Sequence, residues 1–117
     1  MMMSEGIGRV YLAPGVTDMR KSINGLSALV SAAFELDVFS GAWFVFCGRG
    51  RDRMKILHWD CNGFWLYYRR LEKGRFQWPE KSDSPLCITR RELGWLLAGL
   101  TIEQPHAHLP VKVSVVV

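Results

Sequence analysis

Apolar positions along the chain fall into two kinds of run, one with a helical period and one with strand character. Met19, Ile23, Leu26, Val30 and Ala33 recur at spacings of four, three, four and three, with Leu29 and Phe34 alongside. Arg20, Lys21, Asn24, Ser27 and Ser31 occupy the other side. This predicts an amphipathic helix beginning near Thr17 or Asp18, either of which can cap it by accepting an orphan amide hydrogen bond. Gly25 inside it costs about 1 kcal/mol relative to alanine, so packing rather than propensity must hold the helix. Ahead of it, residues 9–13 read as a short strand closed by the turn dipeptide Pro14-Gly15.

Ala42-Trp43-Phe44-Val45-Phe46-Cys47 is apolar throughout. An unbroken run of strand length is expected where a strand is covered on both faces, which puts it centrally in a sheet. The basic loop Gly48-Arg49-Gly50-Arg51 interrupts it, and two strands follow over residues 53–60 and 64–70. They are joined by Asp60-Cys61-Asn62-Gly63, where Asn-Gly signals a primed hairpin turn. A two-residue and a four-residue loop both fit. Alternation places Arg53, Lys55, Leu57 and Trp59 on one face and Met54, Ile56 and His58 on the other. A turn at 71–74 leads to a short strand over 75–78, stopped by Pro79, and residues 80–85 are polar and loop-like. Thr89-Arg90-Arg91-Glu92 is a capping box opening a second helix through Leu93, Leu96, Leu97 and Leu100. Residues 111–117 are rich in valine and read as an added edge strand. The order of elements predicts an α+β fold, with a largely antiparallel sheet of four to five strands and two packed helices in one domain over residues 1–117.

At 117 residues, with 49% apolar and 22% charged residues, the chain has the composition of a globular domain rather than a disordered segment. No apolar run reaches the roughly 18 residues a membrane span needs, and the first residues lack the features of a signal peptide. Cys47, Cys61 and Cys87 are odd in number and scattered, which argues against a disulfide framework or a zinc knuckle. A cytoplasmic protein without a membrane partner is expected.

Charge adds something the pattern does not. Residues 49–75 hold eight basic residues, Arg49, Arg51, Arg53, Lys55, Arg69, Arg70, Lys73 and Arg75, against three acids, a net of +5. The rest of the chain holds seven against eight, a net of −1. Such asymmetry suits an anionic partner, most simply DNA, although a solvated charged surface shows it too. Trp59, Trp65, Tyr67 and Tyr68 interleave with the cations, and aromatic faces can stack on bases where they are not core.

Catalytic chemistry has weaker footing. Asp18, Asp52, Asp60 and Glu72 could form a metal-dependent nuclease site only if folded within a few ångströms of shared cations. Each has a structural alternative: a helix cap, a counter-ion among arginines, a hairpin brace and a turn residue. His106 and His108 lack the further ligands of a structural zinc site, His58 falls mid-strand, and no nucleophile motif or P-loop is present. Catalytic residues, metal and cofactor are therefore all expected to be none.

The blocks Val10-Tyr11-Leu12-Ala13, Thr17-Asp18-Met19-Arg20-Lys21, Phe39-Ser40-Gly41, Asp52-Arg53, Lys55-Ile56-Leu57, Trp59-Asp60-x-x-Gly63, Arg70-Leu71-Glu72-x-Gly74-Arg75-Phe76 and Trp78-Pro79 occur in order. Over residues 9–100 the chain resembles the small accessory protein, often labelled transposase B or second-reading-frame-like, of the sixty-six family of bacterial insertion sequences. Residues 101–117 are a divergent tail. Cys47 departs from the family, where a basic residue is common. The resemblance implies a helper of transposition with no established catalytic residues, acting beside a larger transposase that cuts DNA. The expected partners are the DNA of the element ends and the transposase of the same element, and the sequence is compatible with a homo-oligomer. Two readings stay open: DNA binding through the 49–75 surface, or a protein adaptor that docks on the transposase without touching DNA.

Overall fold

The structure, a computed structural model, describes residues 8–79 and 83–102. Strand β1 (Val10–Leu12) leads through a long connection to β2 (Trp43–Cys47), and β3 (Arg53–Asp60) and β4 (Gly63–Arg70) follow as a hairpin. After a return segment come β5 (Leu86–Ile88) and helix α2 (Arg90–Leu97). The sheet order is β4-β3-β2-β1-β5. β1 runs parallel to β2, while β1–β5, β2–β3 and β3–β4 are antiparallel, so the predicted α+β class with a largely antiparallel sheet is what the chain adopts. Among the described residues no helix is long and apolar enough to cross a membrane.

β2 is the middle strand, as its unbroken apolar run predicts, and both its faces are covered. Phe44 and Phe46 face one layer with Leu26, Val30 and Leu57. Val45 and Cys47 face the other, with Met54, Ile56, Phe76, Trp78 and Leu96. The alternation predicted for β3 holds, with Leu57 in the first layer and Met54 and Ile56 in the second.

The first helix starts later than predicted. α1 spans Ile23–Ala28, behind Ser22, whose side chain caps nothing, and continues as a wider π-helical turn, Leu29–Ala33. Neither Thr17 nor Asp18 caps it. Thr17 is buried and its amide donates to the Cys47 carbonyl at 2.8 Å. The Asp18 carboxylate accepts from the Arg20 amide at 2.9 Å and from the Arg20 guanidinium, and this local turn competes with the helix. Leu26 and Val30 are fully buried, Met19 and Ile23 half-buried, and Ala33 is exposed.

Three other expectations change or sharpen. Residues 75–78 join no strand; they form a strap whose Phe76 and Trp78 are buried. The strap is held by the Phe76 amide on the Arg51 carbonyl at 2.6 Å and the Trp78 indole on the Ala13 carbonyl at 3.2 Å. β5, three residues long, lies where no strand is predicted. The hairpin loop has two residues, with Asp60 paired to Gly63, and Cys61 rather than Asn62 or Gly63 takes the positive φ of 60°. The capping box forms as predicted: the Glu92 amide donates to Thr89 Oγ1 and the Thr89 amide to Glu92 Oε1. The strand expected at 111–117, together with His106 and His108, lies outside the described residues.

Candidate nucleic-acid interface

The antiparallel register of β3 and β4 brings the two basic runs of the sequence to one end of the sheet. Arg53 pairs with Arg70 and Met54 with Arg69. The loop before β3 and the turn after β4 are then tied together, because the Leu71 amide donates to the Asp52 carbonyl at 2.8 Å and the Phe76 amide to the Arg51 carbonyl. Arg49, Arg53, Arg69, Arg70, Lys73 and Arg75 are exposed, and Arg51 is half-buried at a positive φ of 63°. Lys55 lies further into the sheet, opposite Tyr68.

These cations are not equivalent. Arg70 is paired with Glu72 at 3.0 Å, both side chains largely in solvent. Lys55 is committed to the protein itself: its ammonium donates to the Met19 carbonyl at 2.8 Å and the Lys21 carbonyl at 2.9 Å, and stands 6.0 Å from the Tyr68 ring centre. Arg49, Arg51, Arg53, Arg69, Lys73 and Arg75 form no ion pair among the described residues. That end of the sheet therefore carries six cations outside any ion pair, with the Asp52 carboxylate lying among them.

An open groove of about 740 Å³ runs between residues 16–20 and the loop at 48–53, lined by Asp18, Met19, Arg20, Arg49, Asp52 and Arg53 among others. Gly48 lets the two walls meet, since a Cβ there would stand 2.6 Å from Met19 Cγ. The groove adds Arg20 to the basic surface, a residue the charge window does not include. Its guanidinium pairs with Asp18 at 2.8 Å and holds that carboxyl well below the usual carboxylate range. Cys47 is buried at this end, and loss of solvent pushes its thiol up to about 11.

The aromatic residues divide between two surfaces. Trp59 packs into a cluster with Phe39 and Phe64, each ring centre 4.9 Å away. Trp65, Tyr67, Trp43 and His58 form a row on the other face, with successive ring centres 6.0, 5.6 and 3.9 Å apart. The Arg90 guanidinium lies 5.3 Å over Trp43, bringing a cation from α2 to a row the sequence does not connect with it. His58 is half-buried with its Nδ1 3.4 Å from the Ala42 carbonyl, a structural placement.

The four acids are not gathered into one site. Asp18 is held by Arg20, Glu72 by Arg70, and Asp60 accepts from the Trp65 indole at 3.4 Å at the far hairpin turn. Asp52 precedes β3 and Asp60 ends it, so they are separated by the length of that strand, about 25 Å. No group of three metal-ligating side chains occurs among the described residues. What this end of the sheet offers chemically is positive charge and hydrogen-bond donors for a polyanion.

Residues 8–107 match the family described as IS66 Orf2 like protein. Two uncharacterized proteins of Sinorhizobium fredii (strain NBRC 101917 / NGR234), y4hO and y4jC, are 35% identical over 107 residues and 34% identical over 109. Each comparison covers 91% of this chain and 93% of the relative. No solved structure matches the chain. The matched span takes in the whole sheet, the basic end and α2, and the chain belongs to the IS66 Orf2-like family of insertion-sequence accessory proteins.

Proposed function

We propose that this protein is a non-catalytic helper of transposition that binds the DNA of its element through the basic end of the sheet, in the cytoplasm and beside the transposase. The observation that carries this is the set of six unpaired cations, drawn from two stretches of sequence and fixed at one end by the β3–β4 register and the Leu71–Asp52 and Phe76–Arg51 hydrogen bonds. A backbone-held array of arginines suits phosphate, because their charge is permanent and each guanidinium presents several donors. Family membership supports a role in transposition, and the pairing of Asp18 with Arg20 and of Glu72 with Arg70 supports a helper rather than a nuclease.

Salt dependence tests the reading, because phosphate neutralisation releases counter-ions whereas stacking largely does not. Fluorescence anisotropy with element-end DNA should give log affinity falling against log salt with a slope of roughly −4 to −5, as expected for about five phosphate contacts. If no duplex or single strand binds even at low salt while the transposase is retained by the same surface, the adaptor reading replaces this one. DNA cleavage with magnesium that is lost on changing Asp18, Asp52, Asp60 or Glu72 would overturn the non-catalytic part.

A further inference from the structure

β4 is an outer strand of the sheet, and nothing among the described residues pairs with its far side. Soluble proteins normally blunt such an edge with proline, a bulge, inward charge or a short strand. β4 has none of these over Phe64-Trp65-Leu66-Tyr67-Tyr68, and Trp65, Tyr67 and Tyr68 are 53%, 42% and 53% exposed. Its outward hydrogen-bonding groups follow from the hairpin. A two-residue loop closes on a pair that exchanges both of its hydrogen bonds, here Asp60 with Gly63, and alternate pairs repeat this. The free amides and carbonyls therefore belong to Phe64, Leu66, Tyr68 and Arg70.

We propose that this edge is a self-association surface, on which β4 of a second copy adds antiparallel about a two-fold axis at Tyr67. The strand's own polarity selects that occupant. Its aromatic residues, Phe64, Trp65, Tyr67 and Tyr68, all precede Arg69 and Arg70, which end it. Parallel addition would set arginine beside arginine, whereas antiparallel self-addition sets each cationic end against an aromatic one. For the side chains of both copies to share the same face, directly opposed residues must have numbers of the same parity. Centring on Tyr67 satisfies this and uses the whole strand. It places Trp65 opposite Arg69 of the second copy, Phe64 opposite Arg70 and Leu66 opposite Tyr68. Each arginine then meets a ring, the geometry of a cation–π pair, and the free amides face free carbonyls. The contact is isologous and closes at two chains, because it consumes the edge that makes it.

Sedimentation velocity and site-directed crosslinking test this without DNA, so the outcome does not depend on the proposed function. The full chain should sediment at twice its 13.4 kDa mass. Tyr67→Lys, which sets like charges opposite at the axis, and Tyr68→Pro, which removes an outward amide along with the ring beside Lys55, should each weaken association by about tenfold or more while circular dichroism stays native, with Tyr68→Phe as the control that keeps both ring and amide. In a Cys61→Ser/Cys87→Ser background, Tyr67→Cys should form a covalent dimer on treatment with diamide and Trp65→Cys should not. That pair of results reads the register even if the lysine variant fails to fold. A monomer at the highest soluble concentration overturns the proposal. So does a dimer indifferent to both edge variants, or equal crosslinking at 65 and 67. If a chain ending at Ile102 becomes monomeric, the tail beyond it is the occupant and self-pairing of β4 is wrong.

Discussion

Arg53 and Arg70 stand directly opposite one another across the β3–β4 pairing, both exposed. Like charges in that relation destabilise a sheet, and only Arg70 has a carboxylate, Glu72, to relieve it. Such an arrangement is expected where an external anion completes the charge balance. Arg53→Gln should therefore leave thermal stability unchanged or raise it by up to about 1 kcal/mol. The same change should weaken DNA binding and flatten the salt slope by about one unit. Unfolding curves and anisotropy on one variant check both halves, and a clear loss of stability would contradict the assignment.

Lys55 should behave in the opposite way. Its ammonium satisfies the carbonyls of Met19 and Lys21 just ahead of α1, so it secures the approach to that helix. Lys55→Met keeps the stem but removes two charge-assisted hydrogen bonds, and should cost about 2–3 kcal/mol in urea unfolding. Its salt slope should match that of the native chain, because the lost charge is already committed to the protein.

Gly48 and Met19 should be coupled. Gly48→Ala forces its new methyl against Met19 Cγ and should cost about 1–3 kcal/mol. Combining it with Met19→Ala should recover part of that loss, giving a non-additive double-mutant cycle in chemical denaturation. Strict additivity would mean that the two walls of the groove do not meet in solution.

Thiol reactivity should separate the three cysteines. Burial pushes Cys47 up to about 11 from an ordinary 9.0, with the nearby Arg51 charge opposing the shift, whereas Cys61 and Cys87 are exposed. Iodoacetamide near pH 8 should modify Cys61 and Cys87 and spare Cys47 until urea is added, as read by mass spectrometry. The sign for stability follows. Below pH 9 the thiol is protonated folded or unfolded and contributes nothing. Above it the unfolded chain releases a proton that the folded chain retains, so stability should fall as pH rises past about 9.

What was legible in the sequence was whatever a local pattern dictates. The apolar run of β2, the alternation of β3 and the Thr89–Glu92 box each act over a few residues, and each formed as expected. The basic end was legible because one hairpin separates its two halves. Elsewhere distant partners decided. Asp18 could not be known to prefer Arg20 over capping a helix, and the Lys55 acceptors lie 34 and 36 residues away. β5 is too short to show a period, and Phe76 and Trp78 are spaced like a strand but bury themselves as a strap. Arg20 joins the groove through tertiary contact alone.

The place of β1 in the sheet bears on how the chain is made. Among the described strands β1 is made first, yet one of its neighbours, β5, is made last. Residues 10–60 can pair β1, β2 and β3 as soon as they emerge, and α1 can then close one apolar layer. The other layer waits for Phe76, Trp78 and Leu96. Until they arrive, a nascent chain on the ribosome carries an open β1 edge and one bare face of β2. At roughly 5–20 residues per second this vulnerable interval lasts several seconds. Premature stops between residues 60 and 85 should therefore yield products that depend on chaperones and are readily degraded, even though most of the sheet has been translated.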